Sequence, residues 1–270
     1  MTQQETTMPL TAHLEELRWR LVKSAGATVV AFALTYGFAN SIFHFLTAPL
    51  VDTLGEQVAL IGTGVTEAFF TKLKVSLIAA LFLASPVIFF QIWSFIAPGL
   101  YEHEKGYALP FVVFATMFFL MGAAFCFYAV FPVAFTFFVA EFDSIGVDAT
   151  LRITEYLSFT SRMLLAFGVI FEMPVFTFFL ARIGLVDHRM MIQWARYAVV
   201  VIFVVAAVLT PPDAASQVMM AVPMLFLYGL SIGIAYLFQK VVPLPTSEDL
   251  APADETRDGD DRSVIGKGDS

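Results

Sequence analysis

A few carboxylates stand where charge is expensive, or where a cation would be welcome, and they are the residues of this chain most able to do chemistry. Glu172 lies in LAFGVIFEMPVFTFFLARIG, about ten residues before Arg182, the only carboxylate deep in an apolar run. Ionised within hydrocarbon it would cost ~2.5–3.5 kcal/mol, so it must face the bundle interior or a wet cavity, or carry a proton. A hydrogen bond to another helix is the structural reading, with Gln91 as the partner; ligand or proton handling is the functional one. Glu16, in HLEELRWRL, and Glu102 and Glu104, in FIAPGLYEHEKG, sit at the edges of apolar runs. Carboxylates held at a membrane surface grip guanidinium with two parallel hydrogen bonds, so a basic peptide is their natural ligand.

Other chemistries fail on context. Gly229-Leu230-Ser231-Ile232-Gly233 matches the G-x-S-x-G nucleophile elbow, but it lies inside an apolar helix and no His follows it. His13, His44, His103 and His188 are scattered without metal-ligand spacing, so no metal is expected. Walker and dinucleotide-binding patterns are missing, so neither enzymatic activity nor a cofactor is expected. An intramembrane protease would need paired Asp, metal ligands or a Ser–His combination.

The elements that position these residues are six apolar runs, at about 22–45, 73–97, 107–131, 156–181, 195–209 and 218–238. A composition of 59% hydrophobic residues with thirty Phe exceeds what a soluble domain can hide from water, whereas lipid accepts it. The runs are continuous and far longer than barrel strands, so they read as helices, which satisfy their own backbone. The expected fold is therefore all-α, a polytopic membrane protein of six transmembrane helices. Pro86, Pro174 and Pro223 should bend their helices into a cupped bundle, and Pro98-Gly99 and Pro132 fall near run ends. Gly229 and Gly233 form a small-xxx-small pair suited to packing inside the bundle.

Leu10, Leu14, Leu17 and Leu21 make one apolar stripe, predicting a short amphipathic N-terminal helix that lies along the surface before the first span turns in. Length argues against a cleaved signal, and an N-terminus rich in Glu against a transit peptide. With the N-terminus inside, eight Lys or Arg fall at cytoplasmic helix ends, against Lys72, Lys74, Arg152 and Arg162 outside. The positive-inside rule thus puts both termini in the cytoplasm. Only thirteen residues, Tyr197 to Leu209, separate Arg196 from Thr210-Pro211-Pro212-Asp213, which predicts a thinned bilayer there. Residues 241–270 supply −5 of the formal charge of −8 and read as a disordered acidic cytoplasmic tail. Cys126 is the single cysteine and reads as a packing residue. Nothing basic enough to hold nucleic acid is present.

In chain order, HLEELRWRL (13–21), APL (48–50), FFTKLK (69–74), SPVIFFQIWSFIAPGLYEHEK (85–105), YLSF (156–159), AFGVIFEMPV (166–175) and LTPPDAASQ (209–217) resemble the TatC family, central components of the twin-arginine protein translocase. The resemblance runs from about residue 9 to residue 240. It implies a non-enzymatic receptor and translocase core in the cytoplasmic (inner) membrane. Such a core recognises twin-arginine signal peptides of folded proteins, self-associates, and works with single-span TatA and TatB partners on the proton-motive force. Carried over by motif, Glu104 and Phe95 match the twin-arginine site, with Glu16 an acidic neighbour. Pro49, Glu172 and Asp213 match other functionally sensitive positions, and Arg18 matches an N-terminal arginine of structural or regulatory role. The competing expectation is a proton-coupled transporter of a small solute with Glu172 as its titrating group. It suffers from the lack of a repeat between residues 1–131 and 132–240.

Overall fold

The computed structural model describes residues 10–54, 60–96, 108–147, 150–210 and 213–238. Among them run eight α-helices: α1 (Leu10–Tyr36), α2 (Ala39–Leu54), α3 (Glu67–Ile96), α4 (Ala108–Phe125), α5 (Phe131–Ser144), α6 (Ile153–Arg182), α7 (His188–Leu209) and α8 (Ala214–Phe238). Five continuous helical segments are long and apolar enough to cross a bilayer, with α4 and α5 counted as one, and the bent α1–α2 pair completes a sixth. The chain is a multi-pass membrane protein.

The first apolar run is not one straight helix. It breaks after Tyr36, and α2 leaves at 86° to α1. Gly37 sits at the break, where helix propensity is poorest, and Phe38 N–H closes the last turn on the Thr35 carbonyl at 3.0 Å. The amphipathic stretch 10–21 forms the first turns of α1 and enters the span without interruption, so the turn predicted before the span lies beyond Tyr36 instead. The third run also continues past its expected end. A π-turn, Cys126–Val130, joins α4 to α5, and the helix passes Pro132 to reach Ser144. The wider turn absorbs the missing proline N–H, because the N–H of Phe131 bonds back to the Cys126 carbonyl.

Pro86 is likewise carried inside α3. It denies an N–H to the Phe82 carbonyl, and the Ser85 hydroxyl donates to that carbonyl at 2.7 Å in its place. Pro174 and Pro223 are also internal, to α6 and α8. Helix α7 covers 22 residues, on the order of 33 Å, by extending back through Arg196 to His188, so helix length does not require a thinned bilayer. The Arg196 guanidinium lies 4.8 Å from the Tyr197 ring centroid, an aromatic neighbour that eases its position in the helix.

Small residues set the closest helix approaches. Ala31 of α1 meets Ala80 and Ala84 of α3 in a buried alanine contact. A Cβ on Gly122 of α4 would fall 2.5 Å from the Phe167 carbonyl of α6, and one on Gly168 of α6 would fall 2.6 Å from the Phe119 ring of α4. These two glycines therefore permit the α4–α6 contact. Gly229 and Gly233, expected to pack internally, have nothing within 4 Å and face away from the bundle.

Helices α1, α4 and α7 begin, and α3, α6 and α8 end, on one face, here the N-face. Trp93 packs against Phe111 and Phe179 there, Phe178 meets Phe238, and His188 meets Tyr236. On the opposite face two residues each of Leu60–Ile61 and Leu151–Arg152 pair as short parallel strands. The tail 241–270 lies outside the described residues.

Candidate functional site

The N-face brings together residues that the sequence holds far apart. The Glu16 Oε1 atom accepts hydrogen bonds from Arg20 Nη2 at 2.8 Å and Nε at 3.3 Å, one helical turn along α1. From the same guanidinium, Nη1 donates to Gln91 Oε1 on α3 at 3.4 Å, across a separation of 71 residues. Beside this network His13 stacks on Phe95, with ring centroids 4.4 Å apart and planes 20° from parallel. Glu16, Phe95 and Gln91 thus share one patch, while Arg18 is exposed. Glu104 and its neighbour Glu102 belong to residues 97–107, outside the described residues. Their connection leaves α3 at Ile96, one residue past Phe95, and enters α4 at Ala108.

His13 and Arg20 were not singled out as site residues. The i,i+4 spacing of Glu16 and Arg20 is a sequence signal for their pairing. Nothing in the sequence pairs Arg20 with Gln91 or His13 with Phe95, since both contacts depend on how α1 lies against α3.

Glu172 is buried, with 3% of its surface exposed. Neither carboxylate oxygen has a hydrogen-bond partner among the described residues. The expected bond to Gln91 is not made, because Gln91 sits near the end of α3 and is engaged by Arg20. Glu172 also lines none of three large recesses. The recess nearest it along α4 and α6, about 360 Å³, is bounded by Phe82, Leu120, Ala123 and Leu164 among others.

At the opposite face Asp213 caps α8. Its carboxylate accepts the Ser216 N–H at 2.7 Å and the Ser216 hydroxyl, and these bonds hold its pKa below the usual range. It borders a cleft of about 980 Å³ together with Phe135, Phe138, Glu155 and Arg162. Pro49 is buried in α2, and one turn away the Tyr156 hydroxyl of α6 donates to the Leu46 carbonyl at 2.6 Å.

Glu67, at the start of α3 and ahead of the apolar run, ties this face together. Its carboxylate accepts the N–H groups of Thr63 at 2.6 Å, Gly64 at 3.0 Å and Thr154 at 3.0 Å, as well as the Thr154 hydroxyl. The Thr154 hydroxyl is the foremost cause that holds its pKa down at about 2. Arg152 adds a bond from Nη2 to the Thr63 hydroxyl at 2.6 Å.

Residues 12–223 match the family described as Sec-independent protein translocase protein (TatC). Proteins of that name from Desulforapulum autotrophicum and Magnetococcus marinus are 45% and 46% identical to this chain. The first alignment covers 89% of this chain and 88% of the relative, the second 84% of each. The fold is similar to the crystal structure of a twin-arginine translocase receptor, TatC, with a TM-score of 0.75 and 35% identity over 83% of this chain and 97% of that one. The helical membrane-spanning architecture and these matches converge: the chain belongs to the TatC family of Sec-independent protein translocase proteins.

Proposed function

We propose that the chain is the receptor and core subunit of a twin-arginine translocase. It binds the signal peptides of folded cargo at the N-face and exports that cargo with TatA- and TatB-type single-span partners and further copies of itself, driven by the proton-motive force. The supporting observation is the N-face patch, where a carboxylate, an amide and an aromatic ring from α1 and α3 meet at the edge of the apolar bundle. Glu16 and Glu104 take the guanidinium groups of the leader, and Phe95 packs beside it. A carboxylate in this position recognises arginine by a planar two-bond grip that lysine cannot form.

The remaining assignments follow from this one. The N-face is cytoplasmic and the membrane is the inner membrane, since the Lys and Arg of the helix ends gather on that side. Glu172 is the intramembrane polar site that answers the signal's apolar segment or a partner helix. Gln91 serves the N-face network. Asp213 and Pro49 hold the opposite face in shape, and Arg18 is a surface residue of structural or regulatory role. No observation favours a small-solute transporter.

Exchanging Glu104 for Ala abolishes crosslinking of a photoreactive twin-arginine signal peptide while the protein still inserts in the membrane. Undiminished crosslinking from Glu104→Ala and Glu16→Gln together would sink the assignment.

A further inference from the structure

Glu16 already holds a guanidinium. Arg20 Nη2 and Nε converge on the same oxygen, Oε1, at 2.8 and 3.3 Å, while Nη1 reaches Gln91 Oε1 at 3.4 Å. All three nitrogens of one side chain are thus engaged. The pair is neither fully exposed nor fully buried, with side-chain exposures of 24% for Arg20 and 23% for Glu16. It is closed within α1, one turn apart, so it forms whatever the connection after α3 does.

We propose that Arg20 is a resident competitor: it occupies the Glu16 carboxylate as an internal stand-in for the peptide's arginine and sets the affinity threshold that a leader must exceed. The inference rests on the reading of Glu16 as a peptide-binding group. A guanidinium that grips a carboxylate with two parallel hydrogen bonds needs both oxygens. Because Oε1 is taken, docking exchanges one guanidinium for another. Gln91 is the second anchor in that exchange. Its amide oxygen keeps hold of Arg20 Nη1 as the ion pair opens, so the displaced side chain stays beside the site.

The exchange has two physical signatures. Every ligand that needs Oε1 carries the same cost of displacement, about two- to fivefold in an equilibrium constant for a partly exposed pair. Docking also leaves the number of ion pairs at Glu16 unchanged, so this contact contributes little salt dependence. Without Arg20 a new ion pair forms on binding, and salt weakens binding more steeply.

The test is a double-mutant cycle on the purified full chain in lipid nanodiscs, titrated with a fluorescent synthetic twin-arginine signal peptide at low and high salt. Arg20→Gln is expected to tighten binding about two- to fivefold and steepen its salt dependence. Arg20→Lys, which keeps the charge but loses the planar fork, falls between it and the wild type. In a Glu16→Gln background, Arg20→Gln has no effect. Melting temperature and monodispersity certify each variant, and Arg20→Lys carries the test if Arg20→Gln does not fold.

Weaker or unchanged binding in Arg20→Gln overturns the competitor in favour of a purely structural pair. Equal tightening with and without Glu16 overturns it too, because that result reports net charge alone. If Glu16→Gln by itself leaves binding unaltered, the failure lies with Glu16 as a peptide-binding group.

Discussion

Glu67 and Glu172 are both carboxylates where α6 meets a neighbouring helix, and their surroundings are opposite. Glu67 lies half-buried at the start of α3, and its oxygens are engaged by three backbone N–H groups and a threonine hydroxyl. Glu172 is buried in α6 and, among the described residues, has no hydrogen-bond donor on either oxygen. Glu67 joins the 63–64 turn to the first residues of α6 and has little bonding capacity left for a ligand. A buried carboxylate with no donor on its oxygens weakens the fold, which agrees with the proposal that Glu172 is kept for function. Glu16 stands between them, one oxygen committed to Arg20.

The contrast breaks most visibly at Glu172. Replacing it with Leu removes an unpartnered buried polar group, so the protein keeps or gains stability, by about 1–3 kcal/mol, while cargo export falls to background. Thermal unfolding of the purified protein beside transport into inverted vesicles checks both halves. A destabilised but active Glu172→Leu protein would reverse the roles of the two carboxylates.

A smaller effect probes the packing that encloses Glu172. Gly122→Ala sets a methyl group against the Phe167 carbonyl and the Phe171 ring, costing about 1–3 kcal/mol, because the nearest clash is with backbone that cannot swing aside. Gly229→Ala, on an open face, stays neutral or stabilises by up to about 1 kcal/mol through helix propensity. Matching unfolding temperatures for the two variants would refute the α4–α6 contact.

The smallest effect is expected at Glu67 and is read through pH. Its pKa is held at about 2, against an ordinary 4.5, so the folded chain favours the ionised form. Its stabilisation is complete above the unfolded pKa and is lost as pH falls from there towards the folded value. Wild-type protein should therefore lose more melting temperature on acidification through this window than Glu67→Gln. Parallel acid profiles would show that the staple holds nothing.

Much of the fold was legible in the runs themselves, since a stretch such as 156–181 has no stable alternative to a helix in lipid. The breaks were harder to read. Pro132 looked like an end, yet a π-turn carries the helix beyond it to Ser144, and the 22–45 run looked unbroken, yet it turns by 86° after Tyr36. A proline or glycine limits local conformation, and whether the chain bends there depends on which neighbour satisfies the freed backbone group. In the same way, the glycine pair at 229 and 233 was visible as a pattern, but its facing outward was not.

By itself the amino-acid sequence determined the solvent of this protein, its helical class, and which carboxylates stand at or within the membrane, because hydrophobic length and buried charge are local costs that every fold of the chain must meet. Which of those carboxylates is satisfied was decided only when helices met. Arg20 reaches Gln91, His13 stacks on Phe95, Glu67 finds Thr154 and Glu172 finds no donor among the described residues, because hydrogen-bond partners are matters of a few ångströms set by helix contacts that no single segment contains.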